Sequence, residues 1–560
     1  MDRRNFIRTT GITLTGALIS DLIFAKGTGK ISQLINFPDK VSGLINNHVV
    51  QLSGSKGGEL WNYQDLTVRL KNEGSGISIE ITAPRVSLSS VTLQWKTPVR
   101  KNSAILNDHW ERTYGDVSWH KPKDSEILPW YFLEYNGKFA SGFGVKTGAK
   151  AFCSWEIDSG NLRLALDLRS GGDGVQLGDR ILKVAEIVTI KSNLGESAFL
   201  TARRFASLMC EKARMPKQPV YGINDWYFTY GNNSEKLIME HTNMMAPLAE
   251  GLSNRPFSVI DAGWFAASPS SPDDTSCWGD NMETSNAKFP DMGKLAGKIR
   301  DTGMRPAIWT RPLCGSFKDS KSLLLPLIKG REVNKPVLDP SIPENLERVK
   351  GYFKRYREWS YEMVKFDFTS FDIFGKWGFE MLKDGTMSES NWRMNDNSKT
   401  NAEIVLNLYQ TIREAAGEVY IIGCNTFSHL SAGLFELNRI GDDTSGNEWD
   451  RTRKMGVNTL AFRGVQHGTF YAADCDCVGL TVKVPWTKNR QWMELVAKSG
   501  TPLFISAQPE AIGMEQKVAI KQSFDLASRN LPVGEPLDWM ETAFPTKWKL
   551  NDKTELFNWD

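Results

Sequence analysis

Met363-Val364-Lys365-Phe366-Asp367 reads as an apolar strand that ends on a lysine and a carboxylate. Arg439-Ile440-Gly441-Asp442-Asp443-Thr444, further along, reads as a second strand end carrying an arginine and two more carboxylates. Two acids delivered from the ends of different buried strands, each with a cation close in sequence, suit the chemistry of retaining glycosidic cleavage. One acid stays ionised to attack the anomeric carbon, and the other holds a proton for the departing oxygen.

Working outward from these two runs, apolar strands alternate with helical patterns. The strands are Val220–Asn224, Phe257–Ile260, Pro306–Trp309, Met363–Phe366, Val419–Ile422, Leu437–Ile440, Phe470–Ala472 and Leu503–Ile505. Asn345–Ser360 and Asn401–Ala416 carry the i, i+3, i+4 apolar spacing of amphipathic helices. Eight strands over this length predict a (β/α)8 TIM barrel at 220–508, whose site lies at the C-terminal strand ends. Upstream, Leu66-Thr67-Val68-Arg69-Leu70, Ile77-Ser78-Ile79-Glu80-Ile81 and similar runs alternate with period two between turn residues. That texture predicts an N-terminal antiparallel β-sandwich at 26–197. Residues 198–219 read as a linker helix closed by Lys217-Gln218-Pro219. From 509 to 560 the pattern returns to short strands, such as Trp548-Lys549-Leu550, and predicts a small or curtailed C-terminal β-domain. The expected class is thus multidomain α/β and β.

Composition narrows the partners. A net charge of +3 over 560 residues, with no basic stripe, speaks against nucleic acid. Nineteen Trp suit either large cores or stacking on the C–H faces of sugar rings. Seven scattered Cys without C-x-x-C spacing give no disulfide framework. Six His, none in H-E-x-x-H, give no zinc site. Asp2-Arg3-Arg4-Asn5-Phe6-Ile7-Arg8, before a short weakly apolar run, matches a twin-arginine signal at 1–25. It predicts export to the periplasm or beyond. No stretch is apolar enough for a stable membrane anchor. Homo-oligomerisation is left open.

The strand ends carry a ring of acids with interleaved Trp: Asp261 and Trp264, Trp309, Lys365 and Asp367, Cys424, Arg439 and Asp443, and the run Asp474-Cys475-Asp476-Cys477. Carboxylates accept paired hydrogen bonds from vicinal hydroxyls, and indoles close an apolar sugar face. Several blocks in order make this region resemble the retaining α-galactosidases of glycoside hydrolase families 36 and 27, the melibiase group. They are Ile421-Ile422-Gly423-Cys424-Asn425 leading to Arg439-Ile440-Gly441-Asp442-Asp443-Thr444, Leu338-Asp339-Pro340 before Lys365-Phe366-Asp367, the run Asp474 to Cys477, and Ser499-Gly500-Thr501-Pro502-Leu503-Phe504.

The resemblance implies Asp367 as nucleophile and Asp443 as acid/base, with no metal or organic cofactor. It implies Asp261, Trp309, Lys365, Cys424, Arg439 and Asp476 as sugar-binding residues, with Lys365 also keeping Asp367 ionised. Trp226, after the first strand, is a further candidate wall. The expected partner is an α-galactoside. Ala262 departs from the family pattern, which has a second acid after the second strand. That departure keeps α-N-acetylgalactosaminides and β-L-arabinopyranosides open as substrates. A galactosyl transferase of raffinose-synthase type and a non-catalytic carbohydrate-binding protein are the other readings. Asp442 also reads as a helix N-cap, Asp372 as a solvated loop residue and Cys475 as a plain buried thiol.

Overall fold

The computed structural model describes residues 34–560 except 75, 101, 159, 267–280, 317 and 332–335. The twin-arginine run and Cys277 lie outside the described residues.

Between Lys40 and Lys191 the described chain forms two antiparallel sheets, of six and eight strands. Period two does the sorting. In Ile77–Ala83 the buried side chains are Ile77, Ile79, Ile81 and Ala83; in Asn161–Asp167 they are Leu162, Leu164 and Leu166. Each strand therefore offers one apolar face to a shared core. The following helix, Ala198–Met209, is started by the Ser197 hydroxyl, which accepts from the Leu200 N–H.

Among the described residues the second half holds a curled sheet of nine parallel strands: β1 (Tyr221–Asn224), β2 (Phe257–Ile260), β3 (Arg305–Thr310), β4 (Met363–Phe366), β5 (Tyr420–Gly423), β6 (Leu437–Arg439), β7 (Ala472–Asp474), β8 (Cys477–Leu480) and β9 (Leu503–Ala507). Their order is β7-β6-β5-β4-β3-β2-β1-β9-β8. β1, β2, β4 and β5 are buried at every residue, as a parallel sheet covered on both faces requires. The two end strands, β7 and β8, are successive stretches of one segment, so residues 472–480 supply both edges of the sheet. The sequence pattern places a single strand at Phe470–Ala472. The observed strand lies later and breaks at Cys475-Asp476, where Asp476 adopts φ 70°, outside the extended region.

The C-terminal stretch corrects the all-β expectation. A helix, Met514–Ala527, comes first and packs on helix Trp486–Lys498 and on β1. A three-stranded antiparallel sheet follows, Glu535–Pro536, Lys547–Leu550 and Lys553–Leu556. The helix buries only Ile520, Ser523, Phe524 and Ala527 and leaves Met514 and Val518 exposed, so its apolar stripe is too thin to read as helical. Among the described residues no helix is long and apolar enough to cross a membrane.

Candidate active site

Alternation at the strand ends decides which side chains reach the interior. Phe366 faces outward and packs against Tyr409 of helix Asn401–Ala416 and against Phe435. Its neighbours Lys365 and Asp367 must then face the opposite side. On β3 the same rule holds. Thr310 meets Tyr356 of helix Pro343–Glu358 through hydroxyls 2.8 Å apart, which leaves Trp309 and Arg311 for the site.

A cavity of about 500 Å³ opens at these C-terminal ends. Asp367 and Asp443 both line it, together with Asp261, Trp226, Trp309 and Lys365. The chain after β4 turns sharply, since Phe368 sits at φ 65°. That turn aims the Phe368 N–H at Asp367 Oδ1, 2.9 Å away, while Trp309 Nε1 donates to Oδ2 at 3.3 Å. Lys365 Nζ sits 2.7 Å from Asp261 Oδ2, and Asn224 Nδ2 donates to the same oxygen at 2.7 Å. Asp225 accepts the Asp261 N–H at 2.8 Å and fixes that loop from below. Burial and the neighbouring Asp261 push the Asp225 carboxyl up to about 6.

Electrostatics separate the two central acids. Burial raises Asp367, and the pull of Lys365 and Arg112 does not offset it. Burial acts on Asp443 in the same direction, but Arg112, Arg439, Lys365 and Arg451 together hold it below the ordinary carboxylate value. Lys365 draws Asp367 toward its ionised form, but burial outweighs it. The Lys365 ammonium is engaged with Asp261, and the guanidiniums gather at Asp443.

Three sugar-binding candidates do not reach the cavity wall. Arg439 is buried beneath it, with Nη1 3.0 Å from Asp443, Nε 3.0 Å from Asp474 and Nη2 2.6 Å from Asp476. Asp476 is committed to Arg439, to Tyr227 and to the Thr444 N–H at 2.7 Å. Cys424 is 1% exposed and does not line the cavity, and burial raises its thiol well above the ordinary range. These residues support the acids from behind. Trp264 is core: its Nε1 donates to the Trp309 carbonyl at 2.8 Å.

Other residues sit where the sequence pattern does not place them. Asp442 caps no helix; it lines the cavity and pairs with Arg112 at 2.6 Å and Arg451 at 2.7 Å. Asp372 is not solvated but 1% exposed, 3.0 Å from Arg311 Nε. Arg311, Arg331, Arg451, Trp377 and Phe379 line the cavity with no local motif to announce them. Arg112 and Tyr114 also line it, from the N-terminal sheets. Ala262 lines it as well, at 1% exposure, where the family pattern has an acid. Among the described residues no group of three or more His, Cys, Asp or Glu side chains is placed to hold a metal ion.

No protein-family model matches the chain. Its fold is similar to that of an α-galactosidase from Thermus thermophilus in complex with p-nitrophenyl α-D-galactopyranoside, at 16% identity and TM-score 0.60, over 92% of this chain and 98% of that one. A family 36 α-galactosidase from Geobacillus stearothermophilus matches at 14% identity and TM-score 0.57, over 86% and 69%. The galactosidase domain of an α-galactosidase–sucrose kinase matches at 14% identity and TM-score 0.55, over 86% and 68%. The likeness is one of fold.

Proposed function

We propose that the chain is a retaining glycoside hydrolase that releases terminal α-linked galactose. The observation that carries this reading is the single cavity lined by both Asp367 and Asp443, each just past the end of a different parallel strand. The nine strands are read as a (β/α)8 barrel closed through residues 472–480, within the division 26–197, 198–219, 220–508 and 509–560. The resemblance in motif order and the likeness in fold to α-galactosidases bound to galactosides support the substrate class.

In the proposed reaction Asp367 attacks the anomeric carbon while Asp443 protonates the departing oxygen; Asp443 then takes a proton from the water that releases the sugar. Asp261 and Lys365 hold hydroxyls at the cavity floor, and Trp309 and Trp226 close an apolar face. The site must gain a proton on Asp443 before the first step, and displacement of cavity water by substrate weakens the hydration that favours its ionised form.

One position favours a second reading of the sugar. A side chain as short as Ala262 cannot accept a hydroxyl, and an unpaired hydroxyl costs about 1–3 kcal/mol. β-L-Arabinopyranosides, which lack a hydroxymethyl group, and α-N-acetylgalactosaminides therefore stand beside α-galactosides. Export by the twin-arginine route to the periplasm or beyond is part of the proposal. Nitrophenyl derivatives of the three sugars, followed by proton NMR of the first-formed anomer, test it. Turnover with retained configuration is expected for at least one. Inversion, or no turnover of any, would refute the reading.

A further inference from the structure

Residues 111–114 belong to the N-terminal half of the chain yet run alongside the end of β6. The Thr113 N–H donates to the Ile440 carbonyl at 3.0 Å, and the Asp442 N–H donates to the Thr113 carbonyl at 2.9 Å. This is a short parallel pairing laid directly against the Asp442-Asp443 run. Side chains extend it to both walls of the cavity. Toward the Asp367 wall, buried Glu111 accepts from Asn425 Nδ2 at 2.8 Å, from the Gly378 N–H at 2.9 Å and from the Ser370 hydroxyl. Asn425 Oδ1 in turn accepts the Phe368 N–H at 3.3 Å, next to Asp367. Toward the other wall, Arg112 Nη2 lies 2.6 Å from Asp442 and Nη1 lies 3.7 Å from Asp443. The guanidinium is held between the Tyr114 and Trp377 rings at 5.8 and 5.7 Å.

We infer that the segment Glu111–Tyr114 is part of the site and that Arg112 is a positioning residue, fixing Asp443 against Asp442 while Glu111 fixes the loop that carries Asp367. The two acids come from separate strand ends, and this strap spans both of the loops that carry them. A guanidinium suits the task because its donors are fixed in a planar fork, which sets the direction of each contact in a way a freely rotating ammonium does not. The inference rests on the proposed hydrolase reading for its kinetic consequences, but its electrostatic consequence does not need catalysis.

Asp443 is faced by Arg112 from the strap, Arg439 of β6, Lys365 of β4 and Asp367 just past it, Arg451 of helix Trp449–Thr452, and Tyr227 and Tyr230 after β1. Arg112 also bears on Asp367. Removing its charge must shift the ionisation of both acids to higher pH. In Arg112→Met, both limbs of the kcat/KM profile for a nitrophenyl α-galactoside should move to higher pH, by about one unit. kcat should fall about 100-fold, the scale of a lost alignment, with KM changed less. Arg112→Lys should restore the limbs, because the charge returns, but only part of kcat, because the fork does not. Circular dichroism at each pH separates misfolding from these effects. The second readout is a carboxyl-carbon NMR titration of 13C-aspartate-labelled protein, with Asp443 assigned from Asp443→Asn. Its midpoint should rise in Arg112→Met and return in Arg112→Lys, whether or not any substrate turns over. An unmoved Asp443 midpoint in folded Arg112→Met overturns the inference. Absence of turnover by the wild-type protein, with the midpoint shifted, overturns the hydrolase reading and leaves the positioning role standing.

Discussion

On the β4 wall, Asp367 meets an indole N–H, a backbone N–H and the field of an ammonium already paired with Asp261. On the β6 wall, Asp443 meets Arg439 at 3.0 Å and Arg112 at 3.7 Å, and its neighbour Asp442 holds Arg451. The acid assigned to attack thus sits where burial favours its neutral form, and the acid assigned to donate a proton sits among cations that favour its charged form. Burial dominates on the β4 wall and cations dominate on the β6 wall, so the two carboxyls are biased in opposite directions. Asp443 stays open to the cavity, with 41% of its side chain exposed.

The strongest way to break the comparison is to remove each acid in turn. Asp443→Asn should lower kcat about 1,000-fold for a leaving group that needs a proton, and far less for a dinitrophenolate that does not. Asp367→Asn should lose both alike. A common loss for the two substrates in both variants would show that the walls do not differ in role. Next in size, Lys365→Met strips Asp261 of its buried partner. Breaking a buried pair costs about 3–5 kcal/mol, so chemical denaturation should show that loss. Lys365→Met combined with Asp261→Leu should recover most of it, because no uncompensated charge remains. No recovery would mean that the pair does not stand alone.

A pH sweep sharpens the comparison by separating site from scaffold. His241 and His429 are buried and His467 is half-buried, and desolvation holds them down to about 3, 4 and 3. Each takes up a proton at its ordinary value, near 6.5, once unfolded. The unfolded chain therefore binds more protons below that pH, and folding stability falls as pH drops from about 6.5 toward 4. Asp225, raised to about 6, opposes this between about 6 and 4, and the raised Asp367 and Asp474 act in the same sense. A net loss on the order of 2 kcal/mol between pH 6.5 and 5 is expected in denaturant titrations. A flat profile would contradict the neutral state of these imidazoles. The smallest effect concerns specificity. Ala262→Asp should raise the ratio of α-galactoside to β-L-arabinopyranoside turnover by about tenfold, one hydrogen bond's worth. An unchanged ratio would remove Ala262 from the specificity argument.

What was legible in the sequence was whatever local pattern controls. Strands β1 to β6 fall where apolar runs end on polar residues, and Lys365, Asp367, Asp261 and Trp309 reach the cavity because alternation along a strand decides facing. Arg439 and Asp476 were legible as charged strand-end residues but not as buried partners of one another, since that depends on where β7 breaks. Arg112 was not legible at all. Its segment meets β6 at a separation of 327 residues, and nothing near Arg112 in sequence marks a partner so distant. Asp442 was ambiguous because an acid before a helix and an acid facing a guanidinium look the same in one dimension.

Asp367 is assigned the attack and Asp443 the proton, although their surroundings bias them the opposite way. Azide distinguishes the two roles by stereochemistry. With an activated aryl α-galactoside, Asp367→Gly should yield β-galactosyl azide by direct displacement, and Asp443→Gly should yield α-galactosyl azide by attack on the glycosyl–enzyme. That pairing is the expected result. The reverse pairing, α from Asp367→Gly and β from Asp443→Gly, would exchange the roles and contradict it.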